Sequence, residues 1–192
     1  MLSPVGDTYN RAEVDPAPTV NLSLEEQSMN TWKNISTPDD IDALLEVYHG
    51  FHDSYIVSAN YQSGIHVDED GITYLSGPDD HVLTVSFQSP WVQGTLEMRF
   101  VGVRQSHLIG WMNDYDGDIW GAELAFYSGL LPGEPRQLIV WASDYPFDPS
   151  TYNYEIHEPS TSFVIANHLQ YRFAESSEFL PDPDAPRMTT LL

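Results

Sequence analysis

Residues 81–103 read HVLTVSFQSPWVQGTLEMRFVGV and contain two runs in which apolar side chains recur at every second position. A period of two is typical of β-strands, because successive side chains of a strand point to opposite faces. Only SPWVQG separates the runs, and its proline and glycine favour a turn. This stretch therefore predicts an antiparallel hairpin, defined by Leu83, Val85, Phe87, Leu96, Met98 and Phe100.

The same period of two recurs on both sides of the hairpin. Upstream, a strand is predicted over residues 55–62, followed by a short irregular hairpin around Asp70-Gly71, a dipeptide that tolerates positive φ. Downstream, strands are predicted over residues 107–112, 119–127, 137–142 and 162–173. About seven strands result, joined mostly by short turns.

Two of the downstream strands each present one apolar face. In the first of these strands, the residues predicted to share a face are Trp120, Ala122, Leu124 and Phe126. In the last strand, the residues predicted to line the buried side are Phe163, Ile165, Leu169, Tyr171 and Phe173.

One helix precedes these strands. Ser36 or Thr37 is its predicted cap, Pro38 suits its first turn, and Gly50 supplies the stop, because glycine readily adopts the left-handed conformation that ends helices. The apolar stripe of this helix consists of Ile41, Leu44, Leu45 and Tyr48.

The predicted class is α+β, mainly β: an antiparallel meander sheet with one N-terminal helix packed on it. Strands without intervening helices favour this arrangement over a parallel sheet, which needs crossover segments. A β-sandwich and a partly open barrel are the alternative folds. We expect a loosely ordered arm over residues 1–34 that docks through Trp32, a single domain over 35–173, and a flexible acidic tail over 174–192.

The composition indicates a folded chain with a large negative charge. Hydrophobic residues make up 41% and aromatic residues 12%, whereas disordered chains are poor in such side chains. Asp and Glu number 29 against 7 Lys and Arg, for a formal net charge of -22. This field repels phosphate backbones and anionic lipids, so neither direct nucleic-acid binding nor membrane binding is expected. A basic protein partner would be attracted.

The expected location is the cytoplasm. No apolar run approaches the roughly 18 residues that a membrane span needs, and the first residues lack the basic and apolar regions of a signal peptide. Cysteine is absent, so the chain has no disulfide framework of the kind common in secreted proteins. The sequence leaves the oligomeric state open.

Residues 49–54, HGFHDS, lie at the junction of helix and strand. His49 and His52 beside Asp53 could bind a metal or share a proton. The favoured interpretation is structural: Asp53 and Ser54 satisfy free backbone groups after the helix, Phe51 enters the core, and His52 bonds to a carbonyl group. Phe51, His52, Asp53 and Ser54 are therefore interpreted as a structural motif.

The acidic turn NDYDGD, residues 113–118, is the predicted partner-contact region. Its alternating carboxylates resemble the start of a calcium loop, but counting from Asp114 the sixth position is Ile119 rather than glycine and the twelfth is Ala125 rather than glutamate. An acidic β-turn is expected instead. Aromatic side chains beside carboxylates suit contact with a basic protein, and most other aromatic residues are expected in the core. The predicted partner-binding residues are Trp111, Asp114, Tyr115, Asp116 and Asp118.

No catalytic or cofactor motif is present in the sequence. It contains no G-x-S-x-G elbow, no H-E-x-x-H, no P-loop and no G-x-G-x-x-G. The remaining histidines are scattered without ligand spacing. We therefore expect no enzymatic activity, no cofactor and no metal.

The order of motifs resembles that of a group of small bacterial domains. Phe51-His52-Asp53-Ser54 begins a strand, a turn follows, and HVLTVSF and GTLEMRFVGV come next. Over about residues 41–127, this order is similar to domains with a Phe-His-Asp-(Ala/Ser) signature, among them immunity-protein families of polymorphic toxin systems. The resemblance implies a cytoplasmic, β-rich protein that neutralises a cognate toxin by binding it, without catalysis. It assigns no toxin-contact residue.

Three functions remain at this point. The leading one is an immunity-type inhibitor of a basic partner such as a nuclease toxin. The second is an acidic mimic of nucleic acid that occupies a DNA-binding or defence protein, since the charge fits it equally. The third is a metal-binding or hydrolytic protein that uses HGFHDS.

Overall fold

The computed structural model describes residues 30–109, 117–149 and 161–174. In chain order its elements are β1 (Lys33–Ile35), α1 (Pro38–Val47), a 3₁₀ turn (His49–Phe51), β2 (Ser54–Gln62), β3 (His66–Val67), β4 (Thr73–Tyr74), β5 (Val82–Ser89), β6 (Val92–His107), β7 (Asp118–Ile119), β8 (Glu123–Ser128), β9 (Gln137–Ala142) and β10 (Phe163–Ala174). No helix within these ranges is long and apolar enough to cross a bilayer.

Seven strands form one continuous antiparallel sheet in the order β7-β2-β5-β6-β10-β9-β8. β9 pairs with the first part of β10, and β1 pairs with a later part of it. β3 and β4 form a separate small hairpin whose turn includes Gly71 at a φ of +80°. The predicted class, mainly β with an antiparallel sheet and a helix packed on it, is confirmed.

The sheet is curled, because its two ends are joined by a very short link. β7 and β8 are at opposite ends of the strand order, yet only residues 120–122 connect them. A flat sheet of seven strands would separate these edges by about 29 Å. An extended chain over this link reaches at most about 14 Å. The sheet therefore closes into a half-barrel, which agrees with the partly open barrel left open by the sequence.

β5 and β6 are the hairpin predicted over residues 81–103. Pro90 and Trp91 form its two-residue connection. A separate strand was predicted over residues 107–112, but His107 is the last residue of β6. Residues 110–112 lie outside the described ranges. The six defining apolar residues pair across the hairpin, each at most 3% exposed: Leu83 with Phe100, Val85 with Met98, and Phe87 with Leu96.

α1 begins at a capping box. The Thr37 hydroxyl accepts a hydrogen bond from the Asp40 backbone N–H at 3.2 Å, and the Asp40 carboxylate accepts one from the Thr37 backbone N–H at 2.9 Å. A further bond from the Ser36 backbone N–H is the main cause of the lowered pKa of Asp40. The helix packs on the inner face of the half-barrel through Ile41, Leu44 and Tyr48.

A second apolar cluster covers the outer face of β9 and the start of β10. Its members are Leu138, Val140, Ala142, Phe147, Phe163 and Ile165. The single buried side predicted for the last strand is wrong, because Leu169, Tyr171 and Phe173 belong to the inner cluster instead. Val164 and Ala166 also belong to the inner cluster, so the alternation of β10 changes between Ala166 and Leu169, next to the register shift of the β6 ladder at Ile165 and Ala166.

Candidate functional site

The junction between α1 and β2 has an unusual backbone. His49, Phe51 and Asp53 have φ angles of +51°, +67° and +55°, and Gly50 lies among them at +61°. Non-glycine residues rarely adopt this left-handed region. A non-glycine residue in this region carries conformational strain on the order of 1–3 kcal/mol. Such a conformation persists only where the surrounding packing stabilises it, and it is most frequent at functional sites.

Phe51 is the residue that holds this backbone in place. Its side chain is 0% exposed. The ring centroid of Phe51 lies 4.9 Å from that of Tyr48, 5.2 Å from that of Phe87 and 6.0 Å from that of Trp141. Packing against the helix and two strands thus offsets the local strain and presents the following residues, His52 and Asp53, at the surface.

The Asp53 carboxylate joins this junction to the tip of the β5–β6 hairpin. Its Oδ2 atom accepts a hydrogen bond from Trp91 Nε1 at 3.0 Å. His52 Nδ1 lies 3.1 Å from the same oxygen. No described residue donates a hydrogen bond to Oδ1 of Asp53. The carboxylate is therefore fixed through one oxygen only.

Two exposed tryptophans flank the His52-Asp53 pair. Trp91 is 62% exposed and Trp120 is 74% exposed. The Trp120 ring meets the His52 ring edge to face, with centroids 5.9 Å apart. The Ala122 backbone N–H donates to the Gly50 carbonyl at 3.1 Å, which ties the link of Trp120 to the 3₁₀ turn. We call the group formed by His52, Asp53, Trp91 and Trp120 the tryptophan corner.

The four residues of the Phe-His-Asp-Ser motif divide between the core and the surface. Phe51 and Ser54 are 0% exposed, whereas the His52 side chain is 52% exposed and that of Asp53 30%. The Ser54 and Tyr48 hydroxyls lie in the core beside each other without a regular hydrogen bond. Burial is the main cause that raises the pKa of Tyr48 far above its usual range.

Most of the predicted partner-binding residues lie outside the described ranges: Trp111, Asp114, Tyr115 and Asp116. Asp118 is described. It pairs with Tyr55 across the β7–β2 ladder, next to the Ser54–Ile119 pair. The structure thus brings Asp118 close to the Phe-His-Asp-Ser motif, which the sequence interpretation had kept apart from it.

The aromatic residues of the corner were not singled out by the sequence. Trp120 was expected to share a face with Ala122, and this prediction is wrong. Residues 120–122 belong to no strand, because the chain crosses there from one edge of the sheet to the other. Trp91 occupies a two-residue turn, and this position in SPWVQG was a usable signal for exposure. Trp141 is buried, as expected for most aromatic residues, whereas Tyr145 is 71% exposed.

A second polar group, the arginine cluster, consists of Asp79, Arg104, Glu134 and Arg136. Asp79 contacts Arg104 at 2.6 Å and Arg136 at 2.9 Å, while Glu134 contacts them at 3.1 and 2.7 Å. Asn167 also donates to Asp79 at 2.6 Å. Hydrogen bonds from Arg136 are the main cause that lowers the pKa of Glu134 to about 2 and that of Asp79 further still. Both carboxylates and both guanidinium groups are therefore engaged within the cluster.

The other basic side chains of the described ranges are also engaged. Arg172 pairs with Glu97 and lies over the Trp32 ring at 4.8 Å, and Arg99 lies over the same ring at 3.8 Å. Lys33 lies 5.8 Å from the centroid of the Tyr171 ring. By contrast, α1 exposes carboxylates without a basic partner: Asp39, Asp42 and Glu46. The field of the chain is negative because carboxylates outnumber cations, and the cations of the described ranges lie beside carboxylates or aromatic rings.

Within the described part of the chain, no group of three or more His, Asp or Glu side chains is arranged to hold a metal. Two surface clefts, of about 360 and 480 Å³, include no corner residue in their linings. The tryptophan corner presents two exposed rings at the surface. Small-molecule sites are concave, whereas exposed tryptophans are typical anchors of protein interfaces.

No protein-family model matches the chain, and no curated protein or solved structure is significantly similar to it. The resemblance to domains with a Phe-His-Asp-(Ala/Ser) signature therefore stays a prediction from the sequence.

Proposed function

We propose that this protein is a non-catalytic acidic binding protein that neutralises a basic protein partner, such as a nuclease toxin, as immunity proteins do. The observation that carries the proposal is the tryptophan corner: two exposed indoles on either side of a His-Asp pair, on a chain of net charge -22. Binding energy at protein interfaces is concentrated in a few residues, and tryptophan is among the most frequent of them.

Charge gives this partner class further support. The negative field of the chain steers a cationic protein toward it and accelerates association. The basic side chains of the described ranges are held by carboxylates or aromatic rings, so they do not form a competing positive patch. An inhibitor of a basic nuclease then needs only to cover the cationic active site. The cytoplasm, where such a toxin would act on its producer, is the proposed location.

The test is association with a basic protein encoded beside the gene. Association and dissociation rates are measured by biolayer interferometry at about 50 and 300 mM salt, and residual nuclease activity is measured in the complex. We expect a stable complex whose association rate falls on the order of tenfold at the higher salt concentration. The idea fails if no basic protein binds at low salt, or if only neutral and acidic proteins bind.

A mimic of nucleic acid is the second candidate, and the row of carboxylates on α1 favours it. Asp39, Asp42 and Glu46 are exposed and follow one another at spacings of three and four residues, a rise of about 4.5 and 6 Å along the helix axis. A mimic would compete with DNA for a DNA-binding protein, and substitution of this row by asparagine and glutamine would abolish the competition. An inhibitor anchored at the tryptophan corner would lose only part of its association rate.

A further inference from the structure

Asp53 presents a hydrogen-bond acceptor close to two exposed indole rings. Its Oδ2 atom accepts a hydrogen bond from Trp91 and lies 3.1 Å from His52 Nδ1, and no described residue donates to its Oδ1 atom. The Asp53 side chain is 30% exposed, so this acceptor remains accessible. Within the described ranges, no lysine or arginine contacts Asp53, Trp91 or Trp120.

Elsewhere in the protein, a guanidinium group is in contact with both an indole and a carboxylate. There, the Arg172 guanidinium lies over the Trp32 ring at 4.8 Å and pairs with the Glu97 carboxylate. Indole, guanidinium and carboxylate thus form one unit on the sheet. The tryptophan corner offers the indole and the carboxylate of such a unit, and the third component would come from another molecule.

We propose that the tryptophan corner binds an arginine side chain of the partner, with the guanidinium stacked on an exposed indole and hydrogen-bonded to Oδ1 of Asp53. This inference rests on the proposed function, because it names the group of the basic partner that the corner recognises. Arginine fits better than lysine, since its planar guanidinium stacks on a ring and donates to a carboxylate at the same time.

The backbone of the junction supports this role, because it fixes the acceptor before the ligand arrives. Asp53 has a φ of +55°, and the buried Phe51 just before it has one of +67°. A carboxylate held in this way loses little conformational freedom on binding, which favours affinity. The hydrogen bond from Trp91 to Oδ2 also restricts the rotation of the carboxylate.

The test uses the full chain and three blocked tripeptides, Gly-Arg-Gly, Gly-Lys-Gly and Gly-citrulline-Gly, where citrulline is a neutral isostere of arginine. Binding is followed by NMR through the indole N–H signals of Trp91 and Trp120, assigned with Trp→Phe variants. We expect the arginine peptide to shift both signals saturably, the lysine peptide to bind at least fivefold more weakly, and the citrulline peptide to cause no shift.

Two asparagine variants separate recognition from general charge attraction. Asp53→Asn is compatible with the left-handed backbone, since asparagine tolerates it. Asp39→Asn on α1 removes the same charge at an exposed helix position. Asp53→Asn should weaken arginine binding on the order of tenfold, and Asp39→Asn less than twofold. Unchanged Trp32 and Trp141 indole signals verify the fold, and Trp120→Leu provides a second test of the corner that leaves Asp53 intact.

Equal losses in the two asparagine variants, or equal binding of the citrulline peptide, would overturn the proposal. A corner that fails this test while a salt-sensitive complex with a basic protein still forms refutes arginine recognition alone. Failure to bind any basic protein refutes the proposed function itself. The two failures are therefore distinguishable.

Discussion

The tryptophan corner and the arginine cluster are both polar groups on the surface of the half-barrel, but they differ in how completely their groups are satisfied. In the arginine cluster, two carboxylates face two guanidinium groups at 2.6–3.1 Å, and the charges cancel. In the corner, Oδ2 of Asp53 accepts one hydrogen bond, from Trp91, and no described residue donates to Oδ1, beside two exposed rings. The cluster therefore has the features of a stabilising element, and the corner those of a binding surface.

The largest expected effect concerns the residue that supports the corner. Phe51→Ala should lower the free energy of unfolding by about 3–5 kcal/mol, because it leaves a cavity among Tyr48, Phe87 and Trp141. Chemical denaturation measures this loss. Phe51→Leu, which keeps more of the volume, should cost less. A loss below about 1 kcal/mol for Phe51→Ala would show that the junction does not depend on this ring.

The next prediction distinguishes the arginine cluster, which should affect stability, from the tryptophan corner, which should affect partner affinity. Arg104→Ala leaves Asp79 and Glu134 with one cation fewer and should lower Tm by a few degrees, while partner affinity stays within about twofold. Trp120→Ala should do the reverse, with an unchanged Tm and an affinity loss of about tenfold or more. Thermal melting and interferometry on the same samples provide both readouts. If both variants change the same property, the distinction between the groups is wrong.

The arginine cluster should make the free energy of unfolding depend on pH at acidic pH. The pKa of Glu134 is about 2 in the folded chain, below its usual 4.5, so its contribution is complete above pH 4.5 and is lost as pH falls toward 2. Glu134→Gln should flatten the pH dependence in this window, as measured by urea unfolding at several pH values. Glu123 is the control: burial raises its pKa, so Glu123→Gln should leave this window unchanged.

The smallest expected effect concerns the acidic turn. Changing Asp114 and Asp116 to asparagine should slow association with a basic partner a few-fold, because fewer carboxylates then attract the partner. Asp118 is left unchanged, since it lies in β7 and its Oδ1 atom is buried. Stopped-flow association at low salt measures the change. An unchanged rate would exclude this turn from the contact and leave the tryptophan corner as the remaining candidate.

The sequence predicted those parts of the fold that depend on neighbouring residues. The cap at Thr37 and the hairpin around Pro90 and Trp91 follow from local patterns, and both are present. The exposure of Trp120 and the change of face between Ala166 and Leu169 were not predictable in this way. The first depends on how the sheet curls and the second on where β10 departs from strict alternation, and neither follows from the period of two within one strand.

The candidate site was predictable only in part, for the same reason. HGFHDS was conspicuous as a junction, but Asp53 was expected to satisfy free backbone groups, whereas its half-buried carboxylate accepts a hydrogen bond from the Trp91 side chain. This contact spans 38 residues, and the pairing of β2 with β5 brings the two residues together. The local pattern therefore identified the junction but not the contact between Asp53 and the exposed ring.

The short link between β7 and β8 has a mechanical consequence. Trp120 lies on a three-residue bridge that is bonded to both ends of the sheet and, through Ala122, to the 3₁₀ turn. A force on the Trp120 ring is therefore shared between the two edges of the sheet and the 3₁₀ turn that carries Phe51, because the link is anchored at all three places.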